Sequence, residues 1–203
     1  IPGPPLQLFT EPTERAYRMV FPQGWQWSGR IVRTAQAPGV FEWKVESPDR
    51  LAGAFNAPPA ALNVMVPYAT AAECAQTFVL QGLQQEVPDA RLESVHELPR
   101  AGAYFMAAIK ALGLGENPRV HKARAEYLGT RNGTPVRIHV DIATFMLNVS
   151  PLLGGLGDWI LMCSGWWAPV QQYDQLYPIC RGIVASIATD PVWKERQSEW
   201  VWL

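Results

Sequence analysis

Residues 120–149 read VHKARAEYLGTRNGTPVRIHVDIATFMLNV. Two alternating segments, Val120–Thr130 and Val136–Val149, flank Asn132-Gly133, the dipeptide preferred in a tight two-residue hairpin turn. With Asn132 and Gly133 as the turn, Thr134 pairs with Arg131, Tyr127 falls opposite Ile138, and Ala125 falls opposite Val140. That face is apolar. The other sets Glu126 against His139 and Arg124 against Asp141, so opposite charges meet across the ladder. A slip of one residue would exchange the two faces, so a single register satisfies both. This stretch decides for an antiparallel sheet.

Outward from the hairpin, strand-like segments occur at Ala16–Phe21, Ile31–Thr34, Val40–Glu46 and Leu62–Val66, with turns at Pro22-Gln23-Gly24 and Ser47-Pro48-Asp49-Arg50. Residues 71–86 change to helical period, with Ala72, Ala75, Val79 and Leu83 in one stripe, Phe78 beside it, and Pro88 as the stop. Arg91–Glu97 reads as a strand, and Ala101–Leu112 as a second helix closing on Gly113 and Gly115. Trp159–Trp167 is apolar on both sides of its alternation, as a central strand covered on both faces would be. Ala168-Pro169 breaks it. Tyr173–Ile187 follows as a helix with Leu176, Tyr177, Cys180, Ile183, Val184 and Ile187 in its stripe. The expected class is therefore α+β, with one domain over 16–193 and a helical insertion at 99–116. An extended proline-rich lead-in (1–15) precedes it and a tail (194–203) follows.

Composition narrows the function. The 203 residues are 48% hydrophobic and 17% charged, with a net charge of −1. That balance gives no electrostatic case for nucleic acid or an anionic membrane surface. The longest apolar runs fall short of the roughly 20 residues that span a bilayer. The chain opens Ile1-Pro2-Gly3-Pro4-Pro5, as a mature form would after loss of an export signal, or as a trimmed chain would. Of the three cysteines, Cys163 lies in an apolar strand and Cys180 on a helical face. A helix packing back on the preceding strand would bring those two together as a disulfide; buried free thiols are the alternative. No CxxC or Cys/His spacing occurs, so neither a metal nor a haem is expected.

Arg137, His139 and Asp141 share a strand face with Lys122, Arg124 and Glu126. A general base beside a carboxylate needs such neighbours. A solvated face laced with cross-strand ion pairs needs them equally, and no serine or cysteine nucleophile falls in the cluster. His96 and Glu97 point to opposite faces of a regular strand, and His121 is one strand residue among others. Gly154-Gly155-Leu156-Gly157 has no following lysine and no strand-to-helix transition, so it reads as a loop rather than a phosphate cradle. Asn132-Gly133-Thr134 and Asn148-Val149-Ser150 match the glycosylation triplet, but proline follows each. Trp25, Trp27, Trp43, Trp166 and Trp167 either pack the core or face a partner, with Trp25 and Trp27 as candidate partner contacts. Trp200, Trp202 and Leu203 follow the charged Lys194-Glu195-Arg196 and form a candidate docking tail.

The order of Val20-Phe21-Pro22-Gln23-Gly24-Trp25, Glu46-Ser47-Pro48-Asp49-Arg50, Gly165-Trp166-Trp167-Ala168-Pro169 and Ile183–Trp193 resembles the PsbP-like fold. That fold comprises the photosynthetic PsbP proteins, a Ran-binding nuclear import factor and the bacterial DcrB-type envelope proteins. The chain looks most like exported bacterial members. Arg50 stands where such relatives often carry glycine, and segment 99–116 has no counterpart. The resemblance implies an antiparallel sheet sandwiched by helices, and accessory or binding roles without shared catalytic residues.

The expected function is thus a non-enzymatic, exported, periplasmic or cell-surface protein that stabilises or helps assemble a larger protein complex, without a cofactor. Two rivals are an apolar-ligand carrier, using a pocket between the sheet and Ala101–Leu112, and a hydrolase built on His139 and Asp141.

Overall fold

In the computed structural model the described residues are 4–34, 37–63, 65–111, 118–146 and 158–200, with backbone alone at 34, 37–38, 108–111 and 198–200. They form the α+β fold with antiparallel sheets that the sequence predicts. Two compact units emerge, each assembled from separated stretches of chain. The first comprises 1–58, 131–136 and 165–203, and the second 59–130 and 137–164.

In the first unit, β1 (Leu6–Thr10), β2 (Tyr17–Pro22) and the two-residue β11 (Ala188–Thr189) form one antiparallel sheet, with β2 central. A second row runs β3 (Gln26–Thr34), β4 (Ala37–Glu46), β5 (Gly53–Asn56) and the C-terminal half of β10 (Trp159–Pro169). Phe9 and Phe21 meet at 5.6 Å and Phe9 and Trp27 at 4.7 Å, joining the two sheets through aromatic rings. Helix α4 (Tyr173–Ala185) packs on β2 and β5, burying Cys180 and Ile183. It ends where the Ser186 hydroxyl donates to the Ile183 carbonyl and accepts the Val20 N–H at 2.8 Å. The chain is thereby tied to β2 and enters β11, so the predicted helix to Ile187 stops two residues sooner. Asp190 then caps α5 (Pro191–Trp200), its carboxylate accepting the Trp193 N–H at 3.0 Å with Pro191 at the first helical position. Trp193 is buried against Phe41 at 5.2 Å, and its indole donates to Glu14 at 2.8 Å.

Trp166 and Trp167 are both buried and look to opposite faces of β10. Trp166 donates its indole hydrogen to the Tyr173 hydroxyl at 3.3 Å and meets the Tyr177 ring edge-on at 5.7 Å. Trp167 donates to the Arg50 carbonyl at 3.3 Å, with the Arg131 guanidinium 4.7 Å and the Lys44 ammonium 5.8 Å from its ring centre. Glu46 lies 3.4 Å from Lys44 and 3.5 Å from Arg131, holding both cations on the indole. Arg50 takes the left-handed φ of 60° in the turn after β4, a conformation that glycine adopts without strain.

In the second unit, β6 (Ala60–Leu62) pairs with the N-terminal half of β10, and the row continues through β9 (Thr134–Met146), β8 (Arg119–Arg131) and β7 (Arg91–Glu97). The turn between β8 and β9 has positive φ at Asn132 and Gly133, as the hairpin requires. Ala125, Tyr127, Ile138 and Val140 are buried, and Arg124 meets Asp141 and Glu126 meets His139, which is the expected register. The strand expected at Leu62–Val66 ends at Leu62. There the Asn63 side chain accepts the Met65 N–H and its carbonyl accepts the Val66 N–H, closing a turn.

The helical stretch 71–86 is α1 (Ala71–Cys74), a π-helical turn (Ala75–Val79) and α2 (Leu80–Glu86). Thr70 and Glu73 cap its start reciprocally. A π turn displaces carbonyls from the regular ladder, and the buried Tyr127 hydroxyl donates to the Ala75 carbonyl at 2.8 Å. Helix α3 (Pro99–Ala111) sets Phe105 against Phe145 of β9 at 5.6 Å.

A Cβ on Gly53 would lie 2.4 Å from the Val45 carbonyl and 2.4 Å from the Trp167 ring. Gly53→Ala is therefore expected to cost about 1–3 kcal/mol, read as a lower urea midpoint at constant slope. Arg50→Gly should raise stability by about 0.5 kcal/mol, relief of left-handed strain outweighing the entropy glycine adds to the unfolded chain.

Candidate functional site

The charged face of the hairpin is held together by cross-strand pairs. Asp141 accepts two hydrogen bonds from Arg124, from Nε at 2.7 Å and from Nη2 at 3.1 Å. This fork engages both carboxylate oxygens, so Asp141 holds Arg124 rather than orienting His139. His139 is only 7% exposed, with Nε2 3.5 Å from Glu126. Burial holds its imidazole below the usual value, aided by Arg124 and Arg137 and opposed by Glu126 and Asp141. The cross-strand pairs of the ladder that the sequence suggests are present, but this side of β9 is covered rather than solvated at His139. His96 is exposed opposite Arg124, on the partner strand.

All three cysteines are free thiols, so of the two readings open from the sequence the unbridged one holds for Cys163 and Cys180. The helix does pack back on the strand, but four residues further along, where the Cys180 thiol donates to the Trp167 carbonyl at 3.8 Å. Burial pushes the Cys74, Cys163 and Cys180 thiols up to about 12, leaving them protonated and weakly nucleophilic near neutral pH. Among the described residues no three His, Cys, Asp or Glu side chains come together as a metal ion would need.

The candidate tryptophans are rings with one side in the core. Trp25 and Trp27 are half-buried and pack against the first unit's core. Trp27 donates to the Tyr17 hydroxyl at 3.3 Å. Burial pushes that phenol up to about 12, with the Glu11 charge adding to the shift and the Trp27 bond opposing it. Of the tail, Trp200 closes α5, and Trp202 and Leu203 lie outside the described residues, as do Gly154–Gly157, Gly113, Gly115 and Asn148–Ser150.

Two features escaped the sequence reading, and a third was placed by it only as a region. Glu11 is fully buried and accepts backbone N–H groups from Thr13 and Glu14 at 2.8 Å and from Ala16 at 3.4 Å. Burial raises its carboxyl, but those bonds outweigh it and hold the group below the usual range. Next, β1 exposes Leu6 (59%) and Leu8 (68%) on a strand without charge. Last, a pocket of about 180 Å³ opens in the second unit between α1, α3 and the start of β8. Ala72, Ala103, Met106 and Val120 make it apolar, and Glu97, His121 and Lys122 make it polar. His121 Nδ1 lies 2.7 Å from the Tyr68 hydroxyl, which is 3.2 Å from Thr144 Oγ1. Tyr68 in turn stands edge-on to the buried Trp159 ring at 5.5 Å.

No family model matches the chain, and no curated protein matches it in sequence. Its structure is similar to the solution structure of cyanobacterial PsbP (CyanoP) from Synechocystis sp. PCC 6803. The identity is 13%, over 91% of this chain and 92% of that one, with a TM-score of 0.40. It is also similar to LpqN, involved in cell envelope biogenesis of Mycobacterium tuberculosis, at 12% identity over 92% of this chain and 91% of that one, with a TM-score of 0.39. At these identities no residue's role passes from either protein to this chain.

A histidine whose folded value is depressed binds protons better when unfolded, so its contribution is complete above the unfolded value of 6.5 and is lost as pH falls below it. Urea unfolding should show stability declining as pH is lowered below about 6.5. His139→Gln should flatten that decline, and an equal slope in the variant would refute the assignment.

Proposed function

We propose that this chain is a non-catalytic, exported protein of the bacterial envelope that stabilises or helps assemble a larger protein complex. The observation that carries this reading is the outward face of β1. Leu6 and Leu8 are 59% and 68% exposed on an edge strand with no charged residue, and Pro4 and Pro5 precede it. Large apolar side chains held on a strand edge are the feature that a partner strand or apolar surface recognises. Among the described strands, β2 alone pairs with β1. The groups from which a hydrolase would be built are committed elsewhere: Asp141 to Arg124, and His139 to a buried place beside Glu126.

Export, and kinship with DcrB-type envelope proteins, rest on the sequence resemblance. No helix among the described residues is long and apolar enough to cross a membrane. Trp25, Trp27 and the tail residues Trp200, Trp202 and Leu203 are the further contacts proposed for the partner.

Affinity purification from the native source tests this. Combined Leu6→Asp and Leu8→Asp should lower recovery of the co-purifying partner at least about tenfold while the thermal midpoint stays unchanged, since exposed positions contribute little to folding. Removing residues 200–203 should also reduce it, and His139→Ala should not. Undiminished recovery with both the aspartate pair and the truncation would reject the proposal.

A further inference from the structure

We infer that β1 pairs edge to edge with β1 of a second copy of this chain, antiparallel about a two-fold axis through Leu8. The pairing rests on β1 as the contact strand proposed above, and names the partner that its open edge takes. The Pro5 carbonyl accepts the Gln23 N–H at 2.8 Å, and the Glu11 N–H donates to the Tyr17 carbonyl at 3.0 Å. With Leu6 opposite Pro22 and Thr10 opposite Arg18, those bonds make the odd positions of β1 the hydrogen-bonded partners of β2. The N–H and C=O groups of Leu6, Leu8 and Thr10 therefore point away from β2. Val20, opposite Leu8, shows the same alternation from the other strand: its N–H goes to the Ser186 hydroxyl at 2.8 Å, toward β11 and not β1. No strand lies on the outer edge of β1 among the described residues.

The edge is its own complement. About an axis through Leu8, Leu8 meets Leu8 of the second copy, Leu6 meets Thr10, and Pro4 meets Pro12. Every outward N–H and C=O of the three residues then has a partner. A register displaced by two positions brings Pro4 opposite Thr10 or Pro12 opposite Leu6, and proline has no N–H to give. The prolines thus bound the ladder symmetrically. Free edges in sheets are guarded by charge, proline or a bulge; between Leu6 and Thr10 there is none of these. On the outward face the pairing sets Val20, Leu8, Leu8 and Val20 in one row across four strands. The rows beside it run Arg18, Thr10, Leu6 and Pro22, so no like charges adjoin. Such a contact uses the same patch on both copies and closes at two. It consumes the edge and joins the outward faces of both copies into one surface for the larger complex.

The test is sedimentation velocity of the unmodified full chain over about 1–300 μM. A five-residue ladder is at the small end of specific interfaces, so a monomer–dimer equilibrium with a Kd on the order of 10 μM is expected. Two double variants at exposed positions read the register. Leu6→Lys with Thr10→Glu sets opposite charges across both ends of the ladder and should keep the dimer. Leu6→Glu with Thr10→Glu sets like charges there and should weaken it at least about tenfold. Both share Thr10→Glu beside Arg18, so the difference between them belongs to the second copy. A monomer at every concentration, or two variants that dimerise equally, would overturn the pairing. If that monomeric chain still loses its co-purifying partner on Leu6→Asp with Leu8→Asp, the accessory reading stands and only the dimer falls. A dimer in the unmodified chain, with partner recovery untouched by the aspartate pair and the truncation, would uphold the pairing and sink that reading alone.

Discussion

The central constraint in the first unit is that β10 has no polar face. Trp166 and Trp167 stand on consecutive residues, so each must be covered by a different part of the chain. The cover on one side is α4, whose Tyr173 and Tyr177 receive Trp166. On the other it is the turn 47–52 with the hairpin tip, where Arg131 and Lys44 lie over Trp167 and the Arg50 carbonyl takes its N–H. Removing a buried tryptophan side chain costs about 3–5 kcal/mol, more than any ion pair on these surfaces contributes. Several local oddities follow from that requirement. Position 53 must be glycine because Trp167 and the Val45 carbonyl occupy the space of a side chain. Arg50 accepts a left-handed backbone in the turn whose carbonyl serves the indole. Arg131, at the hairpin's turn, is fixed by Glu46 rather than left in solvent.

What the sequence showed, and what it hid, follows from the range of the interactions involved. The hairpin was legible because Asn132-Gly133 sets its own turn and the alternation on each side has only one consistent register. The two-sided burial of Trp159–Trp167 and the stripe of α4 were legible for the same local reasons. β1 was not, because Leu6, Leu8 and Phe9 place apolar groups on both faces and the strand exists only by pairing with β2. Nor was β11, which is two residues long and depends on the Ser186 hydroxyl meeting Val20 across 166 positions of chain. The Cys163–Cys180 bridge failed on a distance along the strand, since the correct packing of α4 places the thiol at Trp167. The pocket was legible only as a region: helix α3 lies where the insertion was expected, but Tyr68 reaches His121 from 53 residues away in sequence and is itself held by Thr144, 76 residues from it.

The polar groups of the molecule divide into two kinds. Those buried are satisfied: among the described residues no buried side-chain nitrogen or oxygen lacks a partner. Glu11 organises the turn into β2 by accepting three backbone N–H groups, Thr144 holds Tyr68, and Asp141 grips Arg124. These arrangements fix shape, and the buried thiols are pushed away from reactivity. What faces outward is hydrocarbon on β1 and, in the second unit, an apolar pocket with a lysine at its side.

Backbone amide hydrogen exchange tests the central constraint most directly. If covering both faces of β10 organises the first unit, the amides of Gly165–Ala168 should be among the slowest to exchange, opening only with global unfolding. Those of β1 should exchange by local fraying. Exchange at Gly165–Ala168 as fast as in β1 would contradict the account, because the two tryptophans would then be passengers on the sheet rather than the reason it holds.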